Sequence, residues 1–151
     1  MHKYLVVVEK PYIKKLFENV FESIRTIVNF EIDIVVANNH ILDLNSHIIY
    51  DLNGVNHERL VLGGQLFPDN YRLICDEVYR DYGDAILWKV ENNSYDAIIN
   101  MCDPDEVGDM IFRFTLESLN LNHFKTGRIL CRDLTDSTIR DSLFTIPNSI
   151  Q

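Results

Sequence analysis

The sequence predicts an α/β fold of three layers, in which helices cover both faces of a mostly parallel central sheet. Short, β-branched apolar runs alternate along the chain with longer segments whose apolar residues recur every three or four positions. The runs are nearly continuous, as in strands buried on both faces of a parallel sheet. The chain has 151 residues, of which 46% are apolar, enough for one domain with its own core.

The amino-terminal half begins with a strand and a helix. Residues 3–8 (KYLVVV) form the first apolar run, and Pro11 opens a segment with one apolar face, which predicts an amphipathic helix. Further strands are predicted at 32–37 and 47–52. Residues 53–82 show no sustained period, so we expect irregular structure there.

The carboxy-terminal half continues the alternation of helices and strands. We expect helix 84–92, strand 95–101, helix 108–119 and strand 127–131, in that order. Thr135 can cap a last short helix through its side-chain oxygen. The sequence therefore predicts a single domain over 1–145, followed by a frayed tail over 146–151.

Charge, hydropathy and cysteine spacing argue against several classes of protein without excluding a nucleic-acid function. The net charge of −9 argues against a general electrostatic grip on nucleic acid, because phosphate binding uses clustered lysines and arginines. No apolar run approaches the roughly 20 residues that span a bilayer, so we expect a cytoplasmic protein with no membrane partner. The three cysteines are widely spaced and predict neither a disulfide framework nor a CxxC metal pair.

Three acidic residues follow two of the predicted strands. Glu9 comes directly after the first strand, and Asp103 and Asp105 follow strand 95–101. The carboxyl ends of parallel strands share one edge of the sheet, where ligands gather. An isolated DxD is typical of a turn that caps a helix, but Glu9 would add a like charge there, which favours a carboxylate site for a divalent cation such as Mg²⁺.

Four segments resemble, in order and spacing, the motifs of the Toprim domain of type IA DNA topoisomerases. The topoisomerase III branch is the most similar, because its opening motif also reads Glu-Lys-Pro. The resemblance covers nearly the whole chain. The segments are 8–11 (VEKP), 39–44 (NHILDL), 103–109 (DPDEVGD), and Arg128 with 134–140 (LTDSTIR).

This resemblance implies a Toprim, Rossmann-like fold and a part in the cleavage and rejoining of single-stranded DNA. Glu9 would be the catalytic acid or base at the scissile phosphate, with Asp103 and Asp105 as catalytic Mg²⁺ ligands. Asp109 retains an acid at the last position of the motif, so the implied metal set is these four carboxylates. The implied cofactor is Mg²⁺, and the implied partner is single-stranded DNA, bound weakly by this domain alone.

The resemblance also indicates candidate nucleic-acid contacts, and the chain differs from the family's acidic motif at two positions. Lys10 and Lys14 belong to a small basic cluster beside Glu9, and His40 matches the histidine of the family's Gly-His-Leu motif. These three are the candidate contacts. The family's acidic motif continues with arginine and glutamate where this chain has Glu106 and Val107.

The family's nucleophilic tyrosine lies in a downstream domain, and none of the seven tyrosines of this chain matches that motif. We therefore expect a partial catalytic domain that is incomplete as a topoisomerase without a downstream tyrosine domain. One alternative is a free-standing Toprim nuclease or primase-like protein. Another is a catalytically degenerate domain that binds other protein domains.

Overall fold

A computed structural model describes residues 1–37 and 80–151. The strand predicted over 47–52 lies outside these residues, as does most of the stretch that was expected to be irregular. The described residues form an α/β structure with a parallel sheet, which confirms the predicted fold class.

The sheet has four described strands, all parallel, in the order β2-β1-β3-β4. β1 (His2–Val8) pairs with β2 (Phe30–Val36) on one side and with β3 (Ala97–Asn100) on the other. β4 (Thr126–Arg128) pairs with β3. Each observed strand begins and ends within three residues of its predicted bounds.

Four helices of the described part of the chain cover the sheet: α1 (Pro11–Ile24), α2 (Arg80–Asn92), α3 (Glu106–Ser118) and α4 (Asp136–Phe144). Pro11 begins α1, as predicted. Thr135 caps α4, because its hydroxyl oxygen accepts the Thr138 N–H. Within the two described ranges, no helix is both long and apolar enough to cross a bilayer.

The strands are buried on both faces, which explains their continuous apolar sequences. Along β1, alternate side chains enter two separate cores. Tyr4, Val6 and Val8 pack with α1 and α4, whereas Leu5 and Val7 pack with α2 and α3. Helices therefore lie on both sides of the sheet, and the three-layer arrangement is confirmed.

The prediction of a frayed tail over 146–151 is wrong. Ile146 begins a short 3-10 turn and is fully buried at 0% exposure. Ile150 forms an antiparallel bridge with Gly127, and the Gln151 N–H donates to the Thr126 carbonyl at 3.0 Å. The tail is ordered because Ile146 enters the core and the tail backbone hydrogen-bonds to β4. The polar sequence of the tail reveals neither contact.

Candidate metal centre

The ends of β1 and β3 bring Glu9 and Asp103 together. Val7 of β1 stands opposite Asn100 of β3 in the parallel register, so the residues that follow each strand emerge at the same edge. The Glu9 Oε1 accepts a hydrogen bond from the Asp103 N–H at 3.1 Å. The two segments therefore meet where the sequence placed them, at the carboxyl edge of the sheet.

Glu9 is a buried carboxyl with only 4% of its surface exposed. Burial raises its pKa above the ordinary value, because a charge is less stable away from water. The negative charge of Asp103 raises the pKa further, and the hydrogen bond from the Asp103 N–H opposes the increase. Ionised Glu9 is thus disfavoured unless a positive charge lies nearby.

Lys10 supplies such a charge to the neighbouring aspartate. Its Nζ lies 3.6 Å from the Asp103 Oδ2, and both side chains are about one-third exposed. The Asp103 charge is the main cause of a raised pKa at Lys10. Lys10 therefore lies beside the acidic site, as the sequence indicated, and its ammonium forms an ion pair with Asp103.

Asp105 is the N-cap of α3. Its Oδ1 accepts the Gly108 N–H at 2.7 Å, which satisfies one of the free amides at the start of the helix. The helix cap considered for the DPD sequence is therefore real. Asp105 also lies close enough to Glu9 that its charge adds to the effects of burial and Asp103 on the Glu9 pKa.

Asp109 is held by different partners. Its Oδ1 lies 2.8 Å from the Arg128 Nε and accepts a hydrogen bond from the Asn100 Nδ2 at 3.2 Å. The Asp109 N–H donates to the Asp105 carbonyl at 3.2 Å, but among the described residues no side-chain contact joins the Asp109 carboxylate to Glu9, Asp103 or Asp105. The structure therefore brings three of the four predicted acids together and places the fourth against Arg128.

Arg128 contacts the acidic loop, residues 101–105 between β3 and α3, more extensively than any residue assigned a role from the sequence. Its Nη1 donates to the Cys102 carbonyl at 2.8 Å and to the Asn100 Oδ1 at 3.0 Å. Its Nη2 donates to the Asp103 carbonyl at 2.7 Å. In the sequence analysis Arg128 belongs to a motif but has no assigned role. Its position at the carboxyl end of β4 could have indicated one, because the same kind of position identified Glu9.

Gly108 allows the start of α3 to approach the loop. A Cβ atom at this position would overlap the Asp103 carbonyl oxygen and lie only 3.0 Å from the Asp103 carbonyl carbon. Any side chain at position 108 must therefore displace either the helix or the loop. This close approach places the Asp105 cap next to Asp103.

The remaining predicted residues are less closely connected to the site. Lys14 forms an i,i+4 ion pair with Glu18, 3.7 Å apart, on the half-exposed flank of α1. Glu106 and Val107 occupy the exposed first turn of α3. His40 lies outside the described residues.

The described carboxylates do not converge on one point. Within residues 1–37 and 80–151, no group of three or more histidine, cysteine, aspartate or glutamate side chains is arranged to hold a metal ion. Asp103 is paired with Lys10, and one oxygen of Asp105 is used by its helix cap. The acids are neighbours, but their side chains have other partners.

Comparison with known proteins found no family model that matches this chain and no curated protein significantly similar to it.

Proposed function

We propose that this chain is a Toprim domain of a type IA topoisomerase-like protein. Glu9, Asp103 and Asp105 would bind Mg²⁺ and contribute to the cleavage and rejoining of single-stranded DNA in the cytoplasm. A separate tyrosine domain would supply the nucleophile. The observation that carries the proposal is the buried carboxyl of Glu9, hydrogen-bonded to the Asp103 backbone and destabilised by the Asp103 charge.

The chemistry of these side chains fits Mg²⁺. Magnesium prefers oxygen ligands and keeps several waters, so one or two carboxylates are enough to hold it. Burial and a like charge both disfavour ionised Glu9, and a divalent cation would offset both effects. Binding would require Asp103 to exchange its Lys10 partner and Asp105 to use its second oxygen, since the first caps α3.

Glu9 is suited to proton transfer at the phosphate. Without a cation on Glu9, burial and the Asp103 charge raise its pKa, which brings the carboxyl closer to the neutral range where a general acid works best. Glu9 would therefore act as the acid when Asp103 and Asp105 hold the Mg²⁺. A bound Mg²⁺ would act as a Lewis acid that polarises a phosphoryl oxygen. Lys10, beside Asp103, would be able to reach a phosphate once Asp103 turns to the metal.

The proposal predicts that DNA binding depends on the metal. The chain carries a net charge of −9 and its site is acidic, so a phosphate is repelled unless a cation is present. We expect the fluorescence anisotropy of a labelled single-stranded oligonucleotide to rise on addition of Mg²⁺, and the rise to disappear in Asp103→Asn. Equal binding with and without Mg²⁺, or in both proteins, would contradict the proposal.

The same samples test the nuclease alternative. In a nuclease, water would replace tyrosine as the nucleophile, and the oligonucleotide would be cut by the chain alone. Strand cleavage in Mg²⁺ or Mn²⁺ that disappears in Glu9→Gln would favour this alternative. The topoisomerase-like proposal expects metal-dependent binding without cleavage.

A second candidate function is that of a protein-interaction domain without catalysis. Val107 is 55% exposed and Met110 is 42% exposed, and both lie in the first two turns of α3 next to the site. Exposed apolar side chains at the rim of a site favour contact with another protein domain. Absence of Mg²⁺ binding by the folded chain would support this function over the leading proposal.

A further inference from the structure

The peptide unit between Cys102 and Asp103 is held from both sides. Its carbonyl oxygen accepts a hydrogen bond from the Arg128 Nη1 at 2.8 Å, and its N–H donates to the Glu9 Oε1 at 3.1 Å. In a trans peptide the C=O and N–H point in opposite directions. Arg128 and Glu9 therefore lie at opposite edges of the same peptide plane, and a rotation of the plane would break both hydrogen bonds.

The next carbonyl also depends on Arg128. The Asp103 carbonyl oxygen accepts hydrogen bonds from the Arg128 Nη2 at 2.7 Å and from the Asp105 N–H at 2.8 Å. In a strand, successive carbonyls point to opposite sides, so two consecutive carbonyls directed at one guanidinium are not maintained by the sheet. Arg128 supplies the donors that stabilise this departure from strand geometry.

The guanidinium is itself fixed in orientation. The Asn100 side chain is buried at 4% exposure, and its Oδ1 accepts from the Arg128 Nη1 at 3.0 Å. The Asp109 Oδ1 lies 2.8 Å from the Arg128 Nε as an ion pair, and among the described residues the Nε–H has no hydrogen-bond partner. A planar guanidinium presents its donors in a rigid fork, which a lysine ammonium cannot reproduce. Asp109 thus acts on the acidic loop through Arg128.

We infer that Arg128 is a positioning residue for the candidate metal centre. Its guanidinium sets the orientation of the Cys102–Asp103 peptide, and thereby presents the Asp103 N–H to Glu9 and the Asp103 carboxylate to the cation. The effect on Mg²⁺ affinity rests on the proposed function, whereas the effect on the Asp103 backbone does not. The two parts can therefore be tested separately.

The test combines amide hydrogen exchange by NMR with calorimetric titration of Mg²⁺. Arg128→Met keeps the length of the side chain and removes its donors. We expect the Asp103 amide to exchange about tenfold faster in this variant, as for the loss of one hydrogen bond, while amides of β1 report global unfolding. Mg²⁺ affinity should fall by about ten- to a hundredfold, as when an outer partner of a metal ligand is removed.

Arg25→Met is the matched control. Arg25 also pairs with carboxylates, Glu22 and Glu31, and the variant loses the same charge, but its partners lie on α1 and near the start of β2. Neither Asp103 exchange nor Mg²⁺ affinity should change in it. Arg128→Lys keeps the positive charge but lacks the planar guanidinium, so it should also speed exchange of the Asp103 amide. If Arg128→Met does not fold, Arg128→Lys tests the positioning inference in its place.

The outcomes separate the two proposals. An Asp103 amide that exchanges at the wild-type rate in folded Arg128→Met, or in Arg128→Lys when the first variant is unfolded, overturns the positioning inference. Faster exchange in a protein whose wild type takes up no Mg²⁺ supports the positioning of the backbone and contradicts the proposed function. Faster exchange together with weaker Mg²⁺ binding supports both.

Discussion

The Glu9 carboxyl accepts the N–H of Asp103, 94 positions away in the sequence, while the charge of that same aspartate raises the Glu9 pKa. One residue therefore both stabilises and destabilises ionised Glu9. Burial decides the balance, because it also raises the pKa and is the largest contribution. A carboxyl in this state can gain stability from either a proton or a cation.

The raised pKa of Glu9 predicts that Glu9→Gln stabilises the fold at neutral pH in the absence of divalent cations. The folded state holds the Glu9 proton to higher pH than the unfolded state. The stability from this group is therefore fully present below its ordinary pKa of 4.5 and is lost as pH rises through the folded value. Glutamine keeps the acceptor for the Asp103 N–H without ionising.

Urea unfolding at pH 7.5 and pH 4 checks this prediction. The variant should have the higher midpoint at pH 7.5, and the difference should shrink at pH 4. Glu117→Gln, at an exposed position of α3, should match wild type at both pH values. A lower midpoint for Glu9→Gln at pH 7.5 would show that the ionised carboxylate stabilises the fold.

Asp105 allows its role as a helix cap to be separated from its proposed role at the metal. Asparagine is also a good N-cap, so Asp105→Asn should retain the bond to the Gly108 N–H and the wild-type stability. Asp105→Ala should lose about 1 kcal/mol of unfolding free energy. Mg²⁺ affinity should fall in both variants. Wild-type Mg²⁺ affinity in a stable Asp105→Asn protein would mean that Asp105 is a cap alone.

Gly108→Ala should be strongly destabilising. The added Cβ would overlap the Asp103 carbonyl oxygen, which already accepts hydrogen bonds from Arg128 and Asp105 and cannot move freely. Overpacking of this kind costs about 1–3 kcal/mol, as measured by chemical denaturation. Val107→Ala, one position earlier and exposed, is the matched control and should change stability by less than about 0.6 kcal/mol. Equal stability of the two variants would contradict the close approach of α3 to the loop.

Tyr95→Phe tests a second polar cluster, at the opposite end of β3. The Tyr95 hydroxyl donates to the Asp33 Oδ2 at 2.6 Å, and the Lys3 Nζ lies 3.0 Å from the same oxygen. Burial raises the pKa of Asp33, but the hydrogen bonds from Tyr95 and Lys3 outweigh it and lower the pKa overall. Loss of a hydrogen bond to a charged group should cost about 1.5–3 kcal/mol at pH 7.

The pH dependence of this cost has the opposite sign to that of Glu9. Because the folded pKa of Asp33 is lowered, its contribution is present above the ordinary pKa of 3.8 and is lost as pH falls through the folded value. Thermal denaturation at pH 7 and pH 3 should therefore show a smaller difference between Tyr95→Phe and wild type at the lower pH. Tyr12→Phe, at an exposed position, should be neutral at both. A cost for Tyr95→Phe that grows at pH 3 would refute the charged hydrogen bond.

The meeting of Glu9 with Asp103 could be predicted because it depends only on the backbone. Both residues follow apolar strands, and the carboxyl ends of parallel strands share one edge. The two helix caps were also predictable, since the side chains of Asp105 and Thr135 bond to amides only three residues away.

The partners of Asp109 and the order of the tail could not be predicted in the same way. Asp109 pairs with Arg128, nineteen positions later, because the guanidinium of β4 reaches across the end of β3. Whether Asp109 pairs with Arg128 or joins the other acids depends on side-chain geometry between neighbouring strands, which the spacing of residues in the sequence does not encode. The tail is ordered by burial of Ile146 and by pairing with β4, and both depend on the assembled sheet.

Calorimetric titration of Mg²⁺ into wild type and Asp103→Asn tests the central claim most directly. The account predicts saturable binding in the wild type and its loss in Asp103→Asn, because that substitution removes the charge that borders both Glu9 and Lys10. Asp84→Asn, an exposed change on α2, should bind as wild type does. Equal heats for wild type and Asp103→Asn would contradict a metal centre at the ends of β1 and β3.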